Sequence, residues 1–207
     1  MRFYIQKLMD KFGSWFTALG FLGKYNIKEG DVVIDVGAYY GYFVIKAARK
    51  VGPSGKVIAY EPDPLSCQVM RDYVAKAGLK NVEIIEKGLY KENTTLKMDC
   101  HYTYSKIVED GDKPKHVKDI ACTTLDDKVK RLGLTKIDFI KMDIEGAELE
   151  FMAGAQEALK ITKNLAIACY HIRDGKMTRD IMEPQLQAMG YKTSIGFPLH
   201  LTLYASK

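Results

Sequence analysis

The chain has 207 residues, 47% of them hydrophobic and 28% charged. That size supports one domain with a full core, and the balance excludes a mainly disordered chain. A surplus of 31 basic over 26 acidic residues leaves a net charge of +5, which permits an anionic partner without demanding one. The apolar runs are too short to span a bilayer, and none reads as a cleavable signal peptide. Cys67, Cys100, Cys122 and Cys169 form no C-x-x-C pair and no metal-spaced pair with a histidine. They read as buried thiols of a reducing compartment. A cytoplasmic protein without stable membrane insertion is the expectation.

Residues 1–26 are expected to form a helical extension ahead of a domain over 27–207. Tyr4, Leu8, Phe12, Trp15, Phe16 and Leu19 recur at helical spacing, and Gly13, Gly20 and Gly23 weaken or end the helix. Over residues 1–28, Arg2, Lys7, Lys11, Lys24 and Lys28 stand against Asp10 alone. The segment reads as a packing cover, a lid or a substrate contact. Its lysines could meet phosphates and its aromatics could stack on bases, which keeps an RNA partner open.

Strands and helices then alternate. Residues 31–36 form a short apolar run that meets a glycine and reads as a buried parallel strand. A helix over 41–50 is stopped by Gly52-Pro53-Ser54-Gly55, and a strand over 56–60 ends at Glu61-Pro62. A helix over 64–77 carries proline in its first turn and Gly78 beyond its end. Residues 82–86 are a third strand. Residues 88–120 alternate short β-like pieces with lysine-rich stretches that the pattern does not order. A helix over 126–132, a strand over 137–142, a helix over 147–159 interrupted at Gly154, and a strand over 165–170 follow. Residues 176–189 are helical. Residues 191–195 and 199–205 flank Gly196-Phe197-Pro198 as a closing hairpin. The alternation implies an α/β fold, a mostly parallel sheet covered on both faces, with one antiparallel strand from the terminal hairpin.

The first strand delivers Asp35-Val36-Gly37-Ala38-Tyr39-Tyr40-Gly41 to the crevice where open α/β sheets bind ligands. Gly37 lets the chain turn, and Gly41 allows close helix–strand packing. A dinucleotide fingerprint needs glycine at 39, where Tyr39 would crowd a pyrophosphate. An acid two residues before the first glycine suits a cationic ligand, so Asp35 favours S-adenosylmethionine (SAM). Glu61, at the end of the second strand, can accept hydrogen bonds from both ribose hydroxyls of an adenosine. Asp143 ends the fourth strand at the same edge, with Glu145, Gly146 and Glu148 after it. Asp143 could orient the cationic end of the cofactor or assist deprotonation of a hydroxyl. Glu148 reads only as a favourable charge near a helix start. Three acids so close could hold Mg²⁺, but no further oxygen-ligand pattern supports it, and no metal is assigned. His171 follows the fifth strand as a candidate base.

These residues resemble the FkbM-type SAM-dependent methyltransferases. The resemblance runs from about Ile27 to about His171, through the 27–38 segment and Tyr60-Glu61-Pro62-Asp63-Pro64. Its most specific part is Thr123-Thr124-Leu125-Asp126-Asp127 followed by the 137–148 segment. It implies a Rossmann-like class I methyltransferase fold with seven strands in the order 3-2-1-4-5-7-6. It assigns Asp35, Gly37, Ala38, Tyr39, Tyr40 and Gly41 to the cofactor loop, Glu61 and Pro62 to the ribose side, and Gly88 and Leu89 to the adenine. Asp143 and Glu145 fall on its acidic motif; with His171 they are the candidate catalytic residues, and Asp143 is a cofactor candidate as well. The family often has an acid two residues before that histidine, where this chain has Cys169. A carboxylate that would orient His171 is therefore expected to be absent. The implied activity is O-methylation of a hydroxyl on a sugar or small metabolite. An RNA methyltransferase acting on tRNA is the alternative, although no Asn-Pro-Pro-Tyr-like motif follows the fourth strand. A non-catalytic nucleotide-binding module is a third reading, opposed by the retained acids.

Overall fold

A computed structural model describes residues 20–100, 105–108, 113–173, 175–196 and 201–207. The spine is a sheet built from β1 (Val32–Val36), β2 (Lys56–Tyr60), β3 (Val82–Ile85), β8 (Ile137–Met142), β9 (Thr162–Ala168), β12 (Lys192–Gly196) and β13 (Thr202–Ser206). The spatial order is β12-β13-β9-β8-β1-β2-β3. Counted along this sheet alone, that is the expected 3-2-1-4-5-7-6 order read from the other side. The pairs among β3, β2, β1, β8 and β9 are parallel, β13 runs antiparallel to both β9 and β12, and β10 (Ile172–Arg173) and β11 (Lys176–Met177) form a separate antiparallel pair.

The strands are apolar on both sides because both sides are covered. Alternate residues point to opposite faces. Ile34, Val36, Ile58, Tyr60, Ile140 and Met142 pack under Phe151, Leu159 and Leu186 on one face. Val33, Val57, Ala59 and Phe139 pack under Phe43, Val44, Ala47 and Met70 on the other. The covering helices are α1 (Tyr42–Val51), α2 (Pro64–Lys76), α3 (Leu125–Leu132), α4 (Glu148–Ala153), α5 (Gln156–Lys160) and α6 (Thr178–Ala188). Asp63 caps α2 by accepting the Ser66 backbone N–H, and Thr124 caps α3 through Asp127 N.

Three elements depart from the sequence reading. The single helix expected over 147–159 is two helices. A Cβ on Gly154 would lie 2.0 Å from the Tyr90 carbonyl oxygen, so the chain breaks where another backbone presses against it. The fifth strand starts and ends earlier than expected, and residues 169–171 form the loop beyond it. Residues 88–123 contain a second sheet, with β4 (Gly88–Leu89), β5 (Thr94–Asp99), β6 (Lys106–Ile107) and β7 (Val117–Thr123) in the order β4-β7-β5-β6. Met98, Ile120 and Cys122 are the buried residues of its small core, which is why hydrophobic alternation did not reveal it.

The helix expected over 3–22 lies almost wholly outside the described residues. Its last part is integrated: Phe21 is buried with the second core cluster, and Tyr204 Oη donates to the Gly20 carbonyl. Tyr25 Oη donates to Asp31 Oδ2 at 2.8 Å, and its ring stacks on Phe139. Among the described residues no helix is long and apolar enough to cross a membrane. All four cysteines are free, and Cys67, Cys122 and Cys169 are buried.

Candidate active site

The carboxyl ends of β1, β2, β8 and β9 gather nearly every residue singled out in the sequence. After β1 the chain turns at Gly37, with φ +76° and a Cβ that would fall 1.9 Å from the Asp143 carbonyl oxygen. No other residue type fits, because the turn needs a left-handed backbone and the neighbouring strand end leaves no room. Gly37 N and Ala38 N both donate to Tyr60 O at 3.0 Å, tying the loop to β2. Tyr39 follows with φ +50°, and its ring stacks on Tyr40 with centroids 3.8 Å apart. Gly41 also has positive φ, and a Cβ there would meet the Met70 side chain at 2.5 Å. The close packing it permits is therefore helix to helix, α1 against α2, rather than helix to strand.

Asp35 already has a cation beside it. It is fully buried beside Lys141, its register partner on β8, with Nζ 2.9 Å from Oδ1. The same ammonium donates to Gly37 O at 2.7 Å and sits 5.3 Å from the centre of the Phe21 ring. Lys141 thus pins the glycine loop from beneath and gives Asp35 a counter-charge within the protein. Burial lifts the Asp35 carboxyl to about 6 against the pull of Lys141. Lys141 was missed in the sequence, although a lysine inside an otherwise apolar buried strand demands a partner.

Glu61 closes β2. Its Oε2 accepts from Tyr39 N at 2.7 Å and its Oε1 from Asp63 N at 2.9 Å. Burial raises its carboxyl to about 7, although both N–H donors and Lys141 favour the charged form. Pro62 stands next to Gly88, whose Cβ would come within 4.0 Å of the proline Cβ. Leu89 turns its side chain into the core cluster around Tyr60 and Leu125, leaving Gly88 as the member of that pair beside the Glu61–Pro62 turn.

Beyond β8, Asp143 N donates to Val36 O at 3.0 Å, which locks this strand end to the glycine loop. Glu145 adopts φ +54°, a conformation that costs a non-glycine residue of order 1 kcal/mol or more and clusters at functional sites. Arg173 staples the turn by donating to Gly146 O at 2.7 Å and pairing with Glu150 at 2.9 Å.

His171 meets this loop from β9. Its Nε2 is 3.4 Å from Glu145 Oε2, and its Nδ1 is 3.0 Å from Glu148 Oε1. The expectation that no carboxylate orients the imidazole is therefore overturned. With Cys169 at the usual acid position, Glu148 approaches instead from the start of α4. Glu148 opens α4, as expected of a charge near a helix start, but it is fully buried and also faces the imidazole. Its Oε1 also accepts from Gly146 N at 3.1 Å. Burial alone would push the imidazole down, but the two carboxylates outweigh it and raise His171 to about 10. Asp143, Glu145 and His171 bring one donor atom each within 4.8 Å of one another.

A profile of the FkbM methyltransferase domain matches residues 35–193. This chain belongs to the FkbM methyltransferase family. The cofactor of that family is SAM, in line with the sequence reading. Among curated relatives, methyltransferase sdnD of Sordaria araneosa is 27% identical over 176 residues, covering 69% of this chain and 67% of that protein. The crystal structure of methyltransferase FkbM from Methylobacillus flagellatus superposes with a TM-score of 0.63 at 19% identity, over 88% of this chain and 45% of that one. A SAM-dependent methyltransferase from Aquifex aeolicus gives 0.53 at 21% identity, over 89% and 86%. The methyltransferase described here thus spans less than half of the Methylobacillus protein, and at these identities the structural likeness speaks to the fold.

Proposed function

We propose that the chain transfers the methyl group of SAM to a hydroxyl oxygen of a sugar or small metabolite. The observation that carries the reading is the cluster of Asp143, Glu145 and His171 at the same sheet edge as Glu61 and the glycine loop. Glu61 fits an adenosine ribose: it is buried, raised to about 7, and each of its oxygens keeps a lone pair beyond its backbone contact. Gly88 and Pro62 would flank the adenine side, and Tyr39 and Tyr40 would wall the loop. With Asp35 balanced by Lys141, the cationic end of the cofactor falls to the acids beyond β8.

SAM supplies an electrophilic methyl on a sulfonium. The carbon–sulfur bond breaks with its electron pair going to sulfur, and the methyl joins the acceptor oxygen. The protein's part is to align that oxygen, exclude water and receive the hydroxyl proton at the Asp143 or Glu145 carboxylate, with the charged His171 imidazole fixing their positions. Glu148 and Arg173 hold the cluster still. The free thiols support a reducing, cytoplasmic location.

The test is incubation of the protein with a cell extract and methyl-labelled SAM, followed by mass spectrometry of metabolites and of total RNA. Label on a metabolite hydroxyl is the expected result. Label confined to RNA replaces this reading with the RNA methyltransferase.

A further inference from the structure

The reaction proposed above leaves the second sheet idle, yet one of its strands reaches the cofactor edge. Along β7, Lys118, Ile120 and Cys122 share one face, because alternate residues of a strand point the same way. Ile120 and Cys122 are buried. A Cβ on Gly88 would lie 3.0 Å from Cys122 Sγ, 3.7 Å from Ile120 Cδ1 and 4.0 Å from Pro62 Cβ. The same face of β7 thus packs on Gly88 and on the turn that follows Glu61. The parallel register of Gly88 with Cys122 fixes that packing.

Lys118 carries this face on to Asp63, the last residue of the turn. Its Nζ donates to Asp63 Oδ1 at 2.7 Å, and Asp63 Oδ2 accepts from Ser66 N and Oγ, each at 3.0 Å. The Asp63 backbone N–H in turn donates to Glu61 Oε1 at 2.9 Å. A series of contacts therefore runs from the second sheet through one carboxylate to another. The Asp63 side chain is 12% exposed and that of Lys118 45%, so solvent screens the pair from the lysine side only. Burial pushes the Asp63 carboxyl up, but Lys118 and the Ser66 donors outweigh it and hold Asp63 below the ordinary range. Its hydrogen bond in turn raises Lys118, so both groups are charged wherever Glu61 titrates. Without the ammonium, Asp63 would set an uncompensated like charge against Glu61.

We propose that Lys118 is a positioning residue for Glu61: through Asp63 it fixes the turn and the charge of that carboxylate, so that the second sheet takes part in holding the cofactor. The consequence for SAM rests on the reading of Glu61 as the ribose acceptor, whereas the coupling itself does not. The other titratable groups around Glu61 are Lys141 from β8, Cys67 from α2 and Cys100 just beyond β5. Lys141 is shared with Asp35. Burial pushes the two thiols up to about 12 and about 11, so they stay neutral. Asp63 is the neighbour whose charge Lys118 governs.

The experiment is an NMR titration of glutamate carboxyl carbons in the chain without SAM, with Glu61→Gln identifying the Glu61 signal. The Glu61 midpoint should rise by about half a pH unit to one unit in Lys118→Met, which keeps most of the stem and loses the charge. Lys118→Arg should restore the wild-type midpoint. Adding Asp63→Asn to Lys118→Met should return it to the wild-type value or below, because asparagine still caps α2 and carries no charge. Circular dichroism checks that each variant folds. Calorimetry then reads SAM binding: Lys118→Met should bind about two- to fivefold more weakly than wild type at about pH 7, and equally at about pH 9, where Glu61 is ionised in both. A midpoint unmoved in folded Lys118→Met overturns the proposal. So does a loss of SAM affinity of equal size at both pH values, the mark of a lysine that only props the fold. A midpoint that moves while SAM affinity stays constant upholds the coupling and removes Glu61 from the ribose.

Discussion

Strand β8 carries an acid near each end, and the two ends of the sheet treat buried acids in opposite ways. At the amino edge, Asp138 is buried yet accepts from Val32 N, Lys136 and Lys163, each at 2.9 Å. Burial pushes its carboxyl up, but these donors together outweigh burial and hold it below the ordinary range. For Asp35 and Glu61 at the carboxyl edge, burial wins. Asp35 is lifted to about 6 with one lysine beside it, and Glu61 to about 7 with two backbone donors. A buried acid with its donors supplied belongs to the fold. One left short of them, as Glu61 is, stores affinity for a ligand that has yet to arrive.

The sharpest way to break this contrast is Asp143→Asn. The substitution keeps the shape of the side chain and removes its charge at the carboxyl edge. Methyl transfer to the acceptor found with labelled SAM should fall about 10²–10⁴-fold, the usual size of positioning and acid–base contributions, while the melting temperature barely moves. Full activity in the folded variant would reduce Asp143 to a turn former that only locks β8 to the glycine loop.

Glu61→Ala comes next. Losing a charged double contact to the ribose should cost SAM binding about 1.5–3 kcal/mol by calorimetry. The same carboxyl sets a pH dependence. Two ribose hydroxyls need the ionised acid, and in the free protein Glu61 holds its proton up to about pH 7 through burial and the neighbouring Asp63, despite Lys141. Below that pH, binding must expel the proton, so SAM affinity should fall by up to about tenfold per pH unit between roughly 7 and 5. Glu61→Gln should flatten that slope. A wild-type affinity that is constant across the range would show that Glu61 does not face the ribose as a charged acceptor.

Asp138→Asn has the smallest expected effect, and on the other property. It should lower unfolding free energy by about 1–2 kcal/mol, since its lysines are half exposed and solvent screens them, and leave SAM affinity unchanged. Because its folded pKa is depressed, the stability Asp138 adds is present above the unfolded value near 3.9 and is lost as pH falls through the folded one. Denaturant melts of the wild type and variant should therefore converge in strong acid. A loss of SAM binding in this variant would erase the distinction between the two edges.

The glycine loop, Glu61, Asp143 and the parallel strands were legible in the sequence because each depends on local chemistry. A buried strand of a covered sheet is a run of apolar residues, a left-handed turn wants glycine, and an acid at a strand end reaches the crevice. The second sheet was not legible, since its long strands turn only short apolar pairs inward, Leu96 with Met98 and Ile120 with Cys122, an alternation too brief to fix strands or their order. Nor was Lys141, whose role is set by a register that places it beside Asp35 across a parallel pair. The partner of His171 is the clearest case. Position 169 is a cysteine and offers no charge, while Glu148 lies 23 residues earlier in the numbering and meets the imidazole only because β8 and β9 are neighbours whose ends open onto one crevice. Sequence determines which residues each strand end can present. Which two of them share a proton or an ion is decided by strand order, because electrostatic contact acts over a few ångströms of space whatever the separation along the chain.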